Sequence, residues 1–398
     1  MRTVLFFIFC FCASLSLDAK QLQLEIKAKS AILINGKNGH ILFEKNAHDK
    51  SFPASTTKIA TALYILEKGQ NLDRLAKASS EALTYVTAKE KTKSHYTYPA
   101  YWLEPSGVSF DLKKGEKISM RALLYGAMLC SGNDAANVLA ENEEGSIPHF
   151  MDKLNAYLKT LGCENTHFCN PHGLHHPNHF TTVYDMALIA KRAMQLPLFR
   201  QIVKSTSANR PKTNMQPAKY IKQFNGLLLK NKEHYYPYAI GIKTGYHSQA
   251  KNTLVAAAEK DGRFLIAVVF GCETSEQRYK DVKKLFKKAF EEPFTRKVVL
   301  QKNETNFKRK IRGGKTFLNA YLKDDVVVNI YPSEDFLLKA FVHWRENLSL
   351  PIEENQKVGE VWIETTEKEL ILQQPIFAKS GVQPTIFAKT ENLFKKMF

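Results

Sequence analysis

Cysteine is scarce. The chain holds six in 398 residues, and the four beyond residue 20, Cys130, Cys163, Cys169 and Cys272, are too few for a scaffold built on disulfides. No Cys-x-x-Cys pair occurs, which removes the zinc-ribbon type of fold. Internal repeats and long low-complexity tracts are absent. With 44% apolar and 24% charged residues, the composition is that of a globular chain and not a disordered one. Apolar residues are spread along the sequence instead of forming several runs of about 20, so a multi-span membrane protein is excluded. Acidic residues are also in short supply, 39 against 57 lysines and arginines, for a net charge of +18.

What is present begins with an address. Arg2 precedes an apolar run from Val4 to Leu17, and Asp18-Ala19-Lys20 follows, the layout of a secretory signal peptide (residues 1–19) cut after Ala19. Export turns the positive charge away from nucleic acid and toward anionic lipid surfaces or cell-wall polymers, or leaves it a solvated lysine-rich surface. An oxidising compartment also permits a small loop closed by Cys163 and Cys169; the alternative is a pair of buried free thiols.

Residues 30–46 read as a hairpin around Gly36-Lys37-Asn38-Gly39. Ile59, Ala62, Leu63 and Leu66 then fall at helical spacing between Pro53 and Gly69, which predicts a buried helix. The Lys-, Thr- and Tyr-rich stretch 88–105 has weak periodicity and reads as a surface excursion. Helical patterning resumes over 120–141 and 150–161. Two apolar runs joined by Asp261-Gly262 predict a second hairpin, and Val282, Leu285, Phe286, Ala289 and Phe290 mark an amphipathic helix that Pro293 ends.

Strands at both ends and helices between describe an α+β domain over 20–294, its sheet assembled from distant parts of the chain. Residues 295–384 read as a small β-rich domain. The last segment, 385–398, mixes Ile386, Phe387, Leu393, Phe394, Met397 and Phe398 with three lysines. It is either an interfacial amphipathic helix or a helix packed on its own domain.

Three strings carry the chemistry: Ser55-Thr56-Thr57-Lys58, Ser131-Gly132-Asn133 and Lys243-Thr244-Gly245. A serine hydroxyl needs a base in reach, and a lysine three residues on along a helix lies one turn away on the same face. To accept a proton that lysine must fall far below its usual pKa of about 10.4, through burial or a nearby cation such as Lys243. Ser-x-x-Lys recurs at Ser248 and Lys251, and Ser-x-Asn at Ser207 and Asn209, whereas Lys-Thr-Gly occurs once. Specificity lies in the set, its order and its setting. Lys243 and Thr244, closing an apolar edge strand, suit a carboxylate, and Gly245 lets a substrate backbone approach.

Together with "PASTTKIATA", "LCSGNDAANVLAE", "NPHGLHHPNHFTTVYDMALIAKRA" and "GIKTG", these strings resemble the signature of the low-molecular-mass penicillin-binding proteins that act as D-alanyl-D-alanine carboxypeptidases. The likeness runs over about residues 30–290 and more loosely beyond. It implies a penicillin-binding-protein/β-lactamase-like domain, a β-rich second domain and a C-terminal amphipathic helix on an anionic membrane surface, outside the cytoplasmic membrane. It implies that Ser55 attacks the carbonyl between the terminal D-alanines of peptidoglycan stem peptides and that Lys58 takes its proton. By the same likeness Ser131 relays a proton to the leaving amine, Asn133, Lys243 and Thr244 bind substrate, and the amides of Ser55 and Tyr246 form the oxyanion hole. Neither metal nor cofactor is required, and β-lactams act as inhibitors trapped on Ser55. The text departs from the family at Lys251, where glycine is usual, and at Phe224, where a longer polar residue is.

Competing readings are weaker. The histidines 172, 175, 176 and 179 lack a helical His-Glu-x-x-His frame for a metal and read as a polar loop near the sheet. No Glu-x-x-Leu-Asn string supplies the base of a β-lactamase. Endopeptidase action on D-alanyl cross-links uses the same residues and stays open, while a non-catalytic wall-binding scaffold would not need every catalytic position intact.

Overall fold

The computed structural model describes residues 21–302, 306–334, 338–365, 368 and 370–386. The expected signal peptide and nearly all of the terminal segment 385–398 lie outside them. The described chain divides into two compact units, Gln21–Glu291 and the part from Glu292 onward.

The first unit opens with β1 (Ser30–Asn35) and β2 (Ile41–Lys45), joined where the Asn35 side chain accepts from the Lys37 amide at 2.8 Å. A 3-10 turn, Ala54–Thr57, leads into α1 (Lys58–Glu67). Two short strands, β3 (Leu75–Lys77) and β4 (Lys117–Ser119), pair with each other, and between them lies α2 (Ala88–Lys93). The helical part continues through α3 (Met120–Met128), α4 (Asn133–Glu144), α5 (Ile147–Thr160), α6 (Val183–Met194) and α7 (Pro197–Lys204). A small ribbon follows, β5 (Ser207–Arg210) with β6 (Lys219–Lys222). Then come β7 (Ala239–His247), β8 (Lys251–Lys260), β9 (Arg263–Cys272) and α8 (Ser275–Phe290).

The main sheet is antiparallel in the order β2-β1-β9-β8-β7. Asp261 and Gly262, both at positive φ, make the tight turn between β8 and β9. Alternation along these strands feeds two cores. Ile32, Ile34, Val255, Ala257, Ile266 and Val268 pack with α1 and α6. Ala31, Leu33, Leu254, Ala256, Leu265 and Val269 pack with Val282, Leu285, Phe286 and Ala289 of α8. Helix α1 is buried from Lys58 to Ile65, so it is the axis of the helical part; each large apolar side chain so buried contributes roughly 1.5–3 kcal/mol.

The stretch 88–105 is more than a surface excursion. Thr87 and Glu90 form a capping box at the start of α2, and the buried Lys91 ammonium donates to Trp102 O at 2.6 Å and to Glu104 at 3.2 Å. Burial lowers the Lys91 pKa while Glu104 opposes the shift.

The second unit pairs β10 (Thr295–Leu300) with β13 (Val326–Ile330). Its larger sheet contains β11 (Phe307–Lys310), β12 (Phe317–Tyr321), β14 (Leu338–Trp344), β15 (Lys357–Thr365) and β16 (Leu370–Ala378), in the order β11-β12-β16-β15-β14. Val361 and Ile363 of β15 point with Leu318, Ile376 and Ala378 into its core, and the residues between them face outward, the period-2 pattern of a sheet with one wet face. Among the described residues no helix is long and apolar enough to cross a membrane.

Candidate active site

The 3-10 turn before α1 is fixed from several sides. Thr56 and Thr57 turn their hydroxyls back onto Pro53 O and Ala54 O at 2.8 and 2.9 Å. Thr253 of β8 donates to Pro53 O at 3.0 Å, and His179 Nε2 lies 2.9 Å from Thr57 Oγ1. Ala54 is held at φ +50, a conformation unfavourable for a residue with a Cβ. The loop 170–179 presses against this turn so closely that a Cβ on Gly173 would sit 1.9 Å from Ala54 O.

Ser55 is thereby presented beside Lys58, whose Nζ lies 3.0 Å from Ser55 Oγ, 2.7 Å from Asn133 Oδ1 and 2.7 Å from His172 O. The Lys58 side chain is fully buried. Burial first, and then the Lys243 cation, push its pKa well below the ordinary lysine value, while Asp134 and Cys130 pull the other way. A neutral amine has two N–H bonds and one lone pair. The two carbonyl oxygens can only accept, so they take both N–H bonds, and the lone pair is left for the Ser55 O–H.

Ser131 comes from the link between α3 and α4, and Asn133 is the first residue of α4. Ser131 takes φ +65 there, another strained non-glycine residue. Asp134 anchors the link: its carboxylate accepts from Phe110 N (2.6 Å), Leu112 N (3.0 Å), Ser109 Oγ (2.7 Å) and its neighbour Ala135 N (2.9 Å). Asn133 N donates to Val108 O at 2.8 Å.

Lys243, Thr244 and Gly245 lie on β7, the edge of the sheet. Lys243 is buried, its Nζ donating to Thr244 O at 3.1 Å, and burial lowers its pKa to about 7, with Arg278 acting in the same direction. A Cβ on Gly245 would fall 2.4 Å from Thr253 Oγ1 and 2.9 Å from Ser55 N. The protein's own nucleophile turn and Thr253 therefore take up room that this glycine provides. Tyr246 follows and is 65% exposed.

The structure thus gathers Ser55, Lys58 and Asn133 directly, and sets Gly245 against Ser55. Several contributors carry no sequence signal of their own. The acceptor on Lys58 is the main chain of His172, in a turn built by Asn170 Oδ1 accepting from the His172 and Gly173 amides at 3.3 and 2.7 Å. Arg278 of α8, on a helix dense with lysines, donates to Gly245 O at 3.0 Å. The histidine segment is a loop beside the sheet, with the His175 ring 5.4 Å from that of His247 on β7; within it His172 and His179 are buried against the site, and burial lowers the pKa of both. Among the described residues no three His, Cys, Asp or Glu side chains converge as metal ligands, and all four described cysteines are free thiols.

Residues 17–274 match the family model described as D-alanyl-D-alanine carboxypeptidase. The chain belongs to this family. Residues 294–384 match the C-terminal domain of penicillin-binding protein 5. Among curated relatives, the D-alanyl-D-alanine carboxypeptidase DacF of Bacillus subtilis is 31% identical over 91% of this chain and 87% of its own length. DacC of Escherichia coli is 32% identical over 89% and 84%. Among solved structures, penicillin-binding protein 5 of Haemophilus influenzae superposes with a TM-score of 0.62 at 25% identity, covering 92% of this chain and 100% of that one. A DD-transpeptidase of Streptomyces gives 0.58 at 29% identity, covering 68% and 99%. The family carries the fold expected from the sequence, an antiparallel sheet with helices followed by a β-rich domain, and the activity expected of it, a serine-type carboxypeptidase.

Proposed function

We propose that the chain removes the terminal D-alanine from peptidoglycan stem peptides through an acyl-enzyme on Ser55. The observation that carries this reading is the Lys58 amine, buried, depressed in pKa and left with one lone pair 3.0 Å from Ser55 Oγ. Ser55 Oγ attacks the carbonyl carbon between the two D-alanines and gives its proton to Lys58 Nζ. The oxyanion is held by the amides of Ser55 and Tyr246, contacts of the kind worth roughly 100-fold or more in rate. Collapse expels D-alanine, its amine taking a proton through Ser131, and water then cleaves the Ser55 ester. Lys243 and Thr244 hold the terminal carboxylate, with Arg278 adding positive charge beside them. Asn133 spends Oδ1 on Lys58 and keeps Nδ2 as a donor to the substrate.

The experiment is to incubate the chain from Lys20 onward with labelled penicillin and with a diacyl-Lys-D-Ala-D-Ala peptide. Label on Ser55 and released D-alanine are expected, and both should vanish in Ser55→Ala; turnover surviving in that variant would overturn the reading. Stem peptides and β-lactams are the partners the family relation implies, at an extracytoplasmic site. We further propose that residues 1–19 direct export and that 385–398 holds the enzyme on an anionic membrane surface. In flotation with anionic lipid vesicles, a chain ending at Pro384 should stay in solution while the full mature chain floats. Equal flotation of both would remove the anchor from 385–398.

A further inference from the structure

Past the reaction centre, the end of the main sheet opens into a groove of about 580 Å³ whose lining includes Lys27, Lys29, Lys50, Phe52, Lys251 and Glu273. Four lysines and one glutamate line it. Lys251 lies 3.4 Å from Glu273, with both side chains well exposed, and Lys50 rests its ammonium 4.4 Å over the Phe180 ring. Among the described residues Lys27, Lys29 and Lys50 pair with no carboxylate. Lys251 is also held at φ +56, where a Cβ is unfavourable. A lysine at a strained position on a groove wall is the kind of outlier from which a role is inferred.

The groove's place relative to the chemistry gives the role. If Lys243 and Thr244 hold the substrate's terminal carboxylate and Ser55 sits beside Gly245, a peptide lying antiparallel on the β7 edge runs back past Tyr246 and His247. That direction is its acyl side. It leads to the β7–β8 turn, where Gln249, Ala250 and Lys251 line the groove. Phe52, three residues before the nucleophile, stands between the two, its ring 4.7 Å from that of His175 and 6.2 Å from that of His247.

We propose that this groove is a subsite for carboxylate groups carried on the acyl arm of the peptide substrate, read by Lys50 and Lys251 with Lys27 and Lys29 farther out. Lysines act there as point charges without the fork geometry that would demand one orientation, which suits carboxylates on a flexible arm. The proposal rests on the acyl-enzyme reading for its direction, and phosphate-bearing wall polymers are the other source of anions that the test must separate.

Two substrates differing only at the arm distinguish the outcomes, a Lys-D-Ala-D-Ala peptide with its side-chain amine either acetylated or succinylated. Wild type should favour the succinyl peptide by about five-fold in kcat/KM, the scale of half-exposed ion pairs. The preference should shrink with added salt and fall toward one in Lys50→Gln/Lys251→Gly. Equal use of the two peptides by wild type, or a preference unchanged in the double variant, overturns the subsite. So does soluble polyphosphate binding the groove while the two peptides are used equally, because the occupant is then a polymer. Peptide affinities measured on Ser55→Ala separate this idea from its parent. If wild type releases no D-alanine from either peptide but Ser55→Ala still binds the succinyl peptide more tightly, the serine chemistry fails and the groove stands.

Discussion

Gly245→Ala tests the coupling between β7 and the nucleophile turn. The added Cβ would lie 2.4 Å from Thr253 Oγ1, 2.9 Å from Ser55 N and 3.0 Å from Ala54 Cβ, where ordinary contact begins near 3.4 Å. Relief requires about 1 Å at Thr253 Oγ1 and about 0.5 Å at Ser55 N. Thr253 cannot yield freely because its hydroxyl is bonded to Pro53 O, so the strand and the turn must part. Overpacking of this size costs roughly 1–3 kcal/mol of stability. Displacing a reacting group by about 1 Å costs on the order of 100-fold in rate, so about 0.5 Å at Ser55 costs roughly 10-fold or more. The assay is the second-order rate constant for acylation by penicillin, with the melting temperature recorded alongside. Gly245→Ala should remain folded at room temperature and acylate roughly 10- to 100-fold more slowly. Adding Thr253→Ala should restore part of the stability but little of the rate, since the Ser55 N contact persists. Acylation within about threefold of wild type would refute the claim that this glycine sets the approach of β7 to Ser55.

Two further outcomes follow from charge and burial. The reaction needs Lys58 without its proton and Lys243 with one, so kcat/KM should climb as Lys58 deprotonates and fall as Lys243 loses charge near its pKa of about 7. In Lys243→Arg the guanidinium keeps its charge, and the falling limb should move to higher pH while the rising limb remains; a falling limb that stays put would show that Lys243 does not set it. Asp134→Ala removes the acceptor of two buried backbone amides, those of Phe110 and Leu112, and should destabilise the first unit by about 3 kcal/mol in urea unfolding. A loss below about 1 kcal/mol would mean that those amides find other partners.

The legible features were local ones. The Asp261-Gly262 turn, the α1 face of Ile59, Ala62, Leu63 and Leu66, and the one-turn spacing of Ser55 and Lys58 depend on neighbours within a few residues. What the sequence concealed depends on who arrives from afar. His172 serves through its carbonyl oxygen, which every residue owns, so no side-chain pattern points to it. His179 counts as polar in any composition, yet its ring is buried against Thr57. Lys91 looks like one lysine among many until its ammonium is found on Trp102 O. A second reason for Gly245 stayed hidden for the same cause, because the atom that needs its room, Ser55 N, is 190 positions earlier in the chain by the numbering.

The sheet joins β1, from the start of the unit, to β9 near its end, and β7, the strand set against Ser55, belongs to that sheet only through β8. A growing polypeptide that has emerged only as far as α7 owns the serine and its lysine but no wall opposite them. Long-range closures of this kind come late in folding. The unit therefore passes through its synthesis with its reactivity latent, and gains it only when the two ends of its sheet have met.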